Sequence, residues 1–408
     1  MIVPALRFKE FSGDWITKAL NEITGKIGDG LHSTPVYDEN GQYYFVNGNN
    51  LTNSKIEISE VTKRLNGNEY SKHKIELTPQ TILISINGTI GNLAFYNNEK
   101  VVLGKSACYL NLNQNENKYF VFNLLQTSKI KLHFDKELTG STIKNLSLTT
   151  IKNTKAYFPS LPEQTKIANF LTAVDEKITL LTQKADLLSQ YKKGVMQQIF
   201  SQELRFKDDD GQEFPEWEEK VISDVITNYG GTALEKFVTV DGTHNFISIG
   251  NYQKTGLYFD NGQRISLNDK TKQKLLNKND LVMVLNDKTQ AGDLIGSTLL
   301  ITEDNKFIYN QRSERLVCNE QIIEPKYVWH LFNSIQFRKE IFSISQGGTQ
   351  IYVNFPAVKQ LNISVPSAKE QTKIAQFLTA IDEKITNNQT QLNAVKQYKQ
   401  GLLQQIFV

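Results

Sequence analysis

Apolar residues in the stretch 159–200 recur at alternating steps of four and three, as Ile167, Leu171, Val174, Ile178, Leu181, Ala185 and Leu188. That spacing is the narrow seam of a coiled coil, whereas a helix lying on a sheet carries a broader stripe. The stretch 366–407 keeps the seam as Ile374, Leu378, Ile381, Ile385, Leu392 and Val395, with Asn388 where the first stretch has Leu181. A polar seam residue of this kind fixes register or partner at some cost in stability. Lys192 and Lys399 take the next seam position, which predicts looser packing before Val195 and Ile199, and Leu402 and Ile406, resume the pattern. Ser160-Leu161-Pro162-Glu163 and Ser367-Ala368-Lys369-Glu370 each place a serine cap three residues before a glutamate, so both helices are predicted to begin with a capping box. A helix of about 38 residues spans about 57 Å and cannot bury such a seam alone. Antiparallel packing of the two helices on each other is the expected solution; the alternative is that each folds back on its own domain.

Elsewhere the pattern changes period. Short apolar runs bounded by Asn and Gly, Thr81-Ile82-Leu83-Ile84-Ser85-Ile86 and Leu281-Val282-Met283-Val284-Leu285, predict buried strands. Residues 119–132 and 327–342 predict one helix each, with Phe120, Leu124 and Ile130 matching Tyr327, Leu331 and Phe337. These pairs lie 207 residues apart, and so do Glu163 and Glu370. The two helical blocks share roughly 25 identical positions without a gap, so the chain is an internal repeat. Leu6-Arg7-Phe8-Lys9 leading to Trp15 returns as Leu204-Arg205-Phe206-Lys207 leading to Trp217. Gly48-Asn49 matches Gly250-Asn251, Asn87 matches Asn286, and Gly140-Ser141-Thr142 matches Gly347-Gly348-Thr349. Between these patches the offset drifts, as insertions in surface loops allow. The expected architecture is α+β: two similar mixed α/β domains, 1–158 and 204–365, separated by two long antiparallel coiled-coil helices, 159–203 and 366–408, with an internal pseudo-two-fold repeat.

Composition and charge narrow the class. A content of 39% hydrophobic and 22% charged residues is that of an ordinary globular protein, and a net charge of +3 does not by itself point to nucleic acid. No apolar run reaches the length of a membrane span, and Met1-Ile2-Val3-Pro4 does not open a signal peptide. Cys108 and Cys318 are read as buried thiols, one per domain. No catalytic constellation is apparent. Gly104-Lys105-Ser106 ends like a phosphate loop, but Glu99 stands where its first glycine belongs. Gly28-Asp29-Gly30 is read as a turn, and Asn354-Phe355-Pro356 lacks the second proline of an amino-methyltransferase motif. His32, His73, His133, His244 and His330 have no metal-ligand spacing. Asp175-Glu176 and Asp382-Glu383 are placed on the solvent side of the coiled coil.

The Leu-Arg-Phe openings ending in Trp, the Gly-Ser-Thr and Gly-Gly-Thr entries to the terminal blocks, and the Pro-Ser-x-x-Glu-Gln-Thr-Lys-Ile-Ala helices together resemble the DNA-specificity subunit of a Type I restriction-modification system. The resemblance covers essentially the whole chain. It implies that each domain is a target recognition domain reading one half of a split, asymmetric DNA sequence, while the helices space the domains and dock two methyltransferase subunits. It implies a non-catalytic, cytoplasmic subunit with no cofactor of its own, no membrane, and double-stranded DNA and restriction subunits as further partners. Partner subunits would bring S-adenosylmethionine, ATP and Mg. Two readers on a spacer suit half-sites about 34 Å, one duplex turn, apart. By residue type and framework position, the expected DNA contacts are His32, Asn47, Asn49, Asn50, Asn87, Lys105, Ser141 and Thr142 in the first domain. In the second they are Asn251, Asn286, Lys288, Gln290, Gln311, Arg312, Arg315, Thr349, Gln350 and Tyr352. A bivalent protein-binding scaffold on a coiled coil is the alternative reading.

Overall fold

The computed structural model describes residues 3–140, 144–253, 255–288 and 291–408; Ser141, Thr142 and Gln290 lie outside them. The chain divides into two compact units, Met1–Thr182 with Thr390–Val408, and Gln183–Gln389. Each unit therefore holds one domain, the start of its own long helix and the end of the other.

The two units share one topology. In the first, a four-stranded antiparallel sheet runs Thr24–Asp29, Ala107–Leu112, Thr81–Ser85, Leu93–Phe95. In the second the order is Ile226–Gly230, Ser313–Cys318, Leu281–Val284, Thr298–Leu300. Both predicted apolar runs are thus central strands, and every residue of Thr81–Ser85 and Leu281–Val284 is buried. A three-stranded sheet accompanies each, with Val101–Leu103 parallel to Tyr43–Val46 in one unit and Phe307–Tyr309 parallel to His244–Ile247 in the other. Gly30 and Gly231 occupy the same place, where the chain passes over the edge of that sheet. A Cβ there would meet the carbonyl oxygen of Leu103 at 2.1 Å or of Asn310 at 1.8 Å, so no larger residue fits. The expected turn at Gly28-Asp29-Gly30 is instead the end of the strand Thr24–Asp29 followed by this close approach.

Two corrections concern helices. Residues 119–132 form not one helix but two, Lys118–Leu125 and Ser128–Lys136, and residues 327–342 likewise form Pro325–Phe332 and Ile335–Ser343. The break comes from Thr127 and Ser334, whose hydroxyls accept from the backbone N–H of Ile130 and Phe337 and so cap a second helix. The apolar period runs through the break because both short helices face the same core.

The long helices span Leu161–Phe200 and Ala368–Ile406. Their glutamates do not close a capping box. The Glu163 carboxylate accepts from Arg7 Nε and Nη2, both at 2.8 Å, and from Trp15 Nε1 at 3.3 Å. Glu370 does the same with Arg205, at 3.2 and 2.9 Å, and with Trp217 at 3.0 Å. Hydrogen bonding to these carboxylates raises the pKa of both guanidinium groups, keeping them charged. The repeated Leu-Arg-Phe and Trp residues thus form one clamp on the first turn of each helix. The next residue extends it. Gln164 accepts from Asn117 N–H and Gln371 from Glu324 N–H, which fastens the start of the helices Lys118–Leu125 and Pro325–Phe332.

The seam residues are buried or half-buried throughout. Both expected packing modes operate together. Ile167, Ala168 and Leu171 lie in the first domain's core alongside Leu402, Leu403 and Ile406 from the other helix and Phe407 just beyond its end. Ile374, Leu378 and Ile381 lie in the second core alongside Val195, Met196 and Ile199. Within each unit the helices run antiparallel, because the start of one meets the end of the other. The seam lysines do not loosen this packing. Lys192 Nζ lies 2.6 Å from Asp382 Oδ1 and Lys399 Nζ 2.7 Å from Asp175 Oδ1. Asp175 and Asp382 were expected on the solvent side; each instead faces the lysine of the opposite helix, and Asp382 is only 5% exposed.

Candidate nucleic-acid interface

In each unit one end of the four-stranded sheet continues into a rim of short loops held by the backbone. In the first, Ile86 N–H donates to Ser106 O and Leu146 N–H to Ile86 O. In the second, Leu285 N–H donates to Arg312 O and Val353 N–H to Leu285 O. Thr139 and Asn145 exchange two backbone hydrogen bonds, and Gln346 and Tyr352 exchange the same two, 207 residues later. These bonds close on the residues just before Gly140 and Gly347. Both glycines have φ near +100°, at 93° and 109°, a conformation side chains resist.

This scaffold brings several expected residues together. His32, Asn87 and Lys105 line one pocket of about 390 Å³ with Asp29 and Asn145. His32 Nε2 lies 2.8 Å from Asp29 Oδ2, and the imidazole is 72% exposed. The pocket offers an ammonium, a carboxylate, an imidazole and two amides, a mixture of donors and acceptors suited to base edges. In the second unit Asn286 pairs with Tyr352 across the strands Asn286–Asp287 and Ile351–Tyr352. Gln311 and Arg312 occupy the turn matching Lys105 and Ser106, while Lys288, Thr349, Gln350 and Tyr352 are exposed around it.

Other expected contacts are parts of the scaffold. Asn47 and Asn50 cap a short turn reciprocally, and the Asn50 amide donates to Glu57 O. Ser106 Oγ donates to Asn47 Oδ1 and accepts from Gly48 N–H, so the phosphate-loop look-alike is a brace between two turns. With the exposed Asn49, these asparagines line a separate pocket of about 290 Å³. Asn251, matched in sequence to Asn49, stands instead where the first unit has Asn50; it is wholly buried, accepting from Ser248 N–H and donating to Phe259 O. Arg315 turns inward to Asp280, at 2.8 Å, where burial pushes the carboxyl up despite the cation. The cysteines are buried and unbridged; burial raises both thiols, Cys318 to about 12, so neither is a ready nucleophile.

Asp29, Asn145 and Gln346 were not singled out in the sequence. The repeat contained the signal for Asn145, which lies 207 residues before Tyr352. Asp29 gave none, because its role depends on the strand end that brings it to His32.

The fold is a matched pair of mixed α/β domains, each with a polar rim at one end of its four-stranded sheet and a clamp on the first turn of its long helix; among the described residues no cluster of metal-ligating side chains is present. The sequence profile described as the type I restriction modification DNA specificity domain matches residues 12–190 and 215–397, and the chain belongs to that family. It is 24% identical over 341 residues to the Type I restriction enzyme MjaVIII specificity subunit of Methanocaldococcus jannaschii, covering 81% of this chain and 80% of the relative. It is 21% identical over 408 residues to the MjaIX specificity subunit of the same organism, covering 96% and 92%. Among solved structures, the Type-I restriction-modification system S subunit from M. genitalium superposes with a TM-score of 0.62 at 16% identity, over 100% of this chain and 99% of that one. At these identities the superposition speaks for the fold.

Proposed function

We propose that each unit reads one half of a bipartite, asymmetric DNA target. The observation that carries this reading is a pair of rims built by the same hydrogen bonds but tipped with different side chains. Asp29, His32, Lys105 and Asn145 in one unit correspond to Gly230, Ala233, Gln311 and Tyr352 in the other. Equal scaffolds with unequal tips are what two different half-sites require, since backbone contacts position a protein on DNA and side chains at base edges specify sequence. This chain contributes recognition and no reacting group. Its long helices set the half-site spacing and dock two methyltransferase subunits that bring S-adenosylmethionine, and restriction subunits add ATP-driven, Mg-dependent cleavage.

The test is co-expression with a matched pair of modification subunits in an unmethylated host, followed by genome-wide mapping of N6-methyladenine. A two-part motif that depends on this chain is expected. A stable complex that leaves no new methylation would remove the specificity role, and a chain that forms no complex would put the bivalent scaffold in its place.

A further inference from the structure

Each unit has a groove between the junction of its paired short helices and the long helices, and the two grooves match position for position. In the second unit the groove has a volume of about 210 Å³. Part of its wall is the chain itself, through Thr255 and Leu257, and the indole of Trp329 donates to the Gly256 carbonyl at 3.0 Å. A tight turn, closed by the Gly256 N–H on the Gln253 carbonyl, thus already lines one side of that groove. In the first unit the corresponding segment turns elsewhere: Phe95 N–H donates to Ser54 O, and Phe122, at the position of Trp329, stacks on Phe95 with no N–H to offer. The groove there is about 410 Å³.

Its lining is also charged differently. Lys131 and Lys396 are exposed on opposite walls and hold no carboxylate partner among the described residues. Lys399 is tied to Asp175 at 2.7 Å, the half-buried Ile178 supplies apolar surface, and the core residue Leu403 closes the floor. In the second unit the counterparts of the two exposed lysines are Arg338, turned to Asp293 O at 2.8 Å, and Ser189. Two unneutralised ammonium groups across a concave surface otherwise lined mainly by Gln126, Ser128, Gln400 and Gln404 attract an anionic occupant. The turn that lines the sister groove has no counterpart here, which leaves this groove the wider of the two.

We propose that the groove of the first unit docks an acidic segment of a protein partner. The segment brings carboxylates to Lys131 and Lys396 and an apolar side chain to Ile178. This does not depend on which DNA sequence the chain reads.

The probe is a fluorescent synthetic peptide of Asp and Glu around a central Leu, titrated into the full chain. Binding should weaken with salt and fall on the order of tenfold in the double variant K131E/K396E. It should fall less in K131Q/K396Q, which removes charge without reversing it; both pairs lie at exposed positions, and an unchanged melting curve shows that the fold is kept. A Lys-for-Glu version of the peptide should not bind. Absence of binding, or binding indifferent to both double variants, would overturn the proposal. A loss of duplex-DNA affinity in K131E/K396E as large as the loss of peptide affinity would assign the groove to DNA phosphates and equally overturn it.

Discussion

The clamp at the start of each long helix and the rim at the end of each sheet differ in how they were duplicated. Arg7, Trp15 and Glu163 recur as Arg205, Trp217 and Glu370 with the same hydrogen bonds. At the rim the backbone bonds recur and the side chains do not. Between Ser85 and Gly91 one loop closes in six residues, while its counterpart between Val284 and Gly296 takes twelve. A buried carboxylate fixes its partners, because an unpaired charge away from water is costly. An exposed rim residue has no such constraint and is available to diverge with the sequence being read. Duplication preserved what folding demands and released what recognition uses.

The largest effect should come from breaking a clamp. Arg7→Ala or Arg205→Ala leaves Glu163 or Glu370, 2% and 0% exposed, without its cation. Either should cost about 3 kcal/mol, measured by urea unfolding followed with hydrogen exchange of peptides from each unit. A much smaller loss in one unit would show that its clamp is not equivalent.

The seam ion pairs sharpen the comparison, since they recur in sequence but not in burial. Lys192→Met strands a carboxyl at 7% side-chain exposure, whereas Lys399→Met leaves Asp175 at 42%. The first should destabilise by about 2 kcal/mol or more and the second by less than about 1 kcal/mol in the same assay.

A third asymmetry is titratable. His330, 1% exposed, stands where the first unit has Asn123. Burial holds its pKa well below the ordinary value, helped by Lys192 and Lys326, while Asp382 lies 3.9 Å away and Thr379 Oγ1 at 3.3 Å. The unfolded chain takes up this proton first as pH falls, so the second unit should lose stability below about pH 6.5, by up to about 1.4 kcal/mol per pH unit. His330→Asn should flatten that slope; an unchanged pH profile of exchange would show that His330 does not set it.

The smallest stability effect belongs to the rims. Lys105→Ala and Gln311→Ala should change stability by less than about 0.5 kcal/mol. Each should alter only its own half of the methylated motif, and a change in both halves would dissolve the division between the units.

Much of the framework was legible beforehand. The 4-3 seam, the central strands and the 207-residue shift are local or periodic signals, and the structure follows them. The rim was less legible. Asn251 and Asn87 are alike in sequence, yet one is buried in a turn and the other lines the pocket beside Asp29 and Lys105. A short polar residue caps a turn or reaches outward according to which backbone groups surround it, and those come from distant segments.

The sequence alone determined that the chain is built twice, where the two long helices and the two central strands lie, and which face of each long helix is apolar. Each of these depends on spacing along one element, which side-chain direction converts into a face. Only the tertiary structure decided that Glu163 and Glu370 hold the opening segments, that Asp175 and Asp382 face lysines of the opposite helix, and that Asp29 completes the pocket of His32 and Lys105. Apart from Asp29 and His32, those pairings join residues far apart in sequence, and the strongest of them, at Glu163, Glu370 and Asp382, draw on shared removal from water, which a linear pattern does not encode.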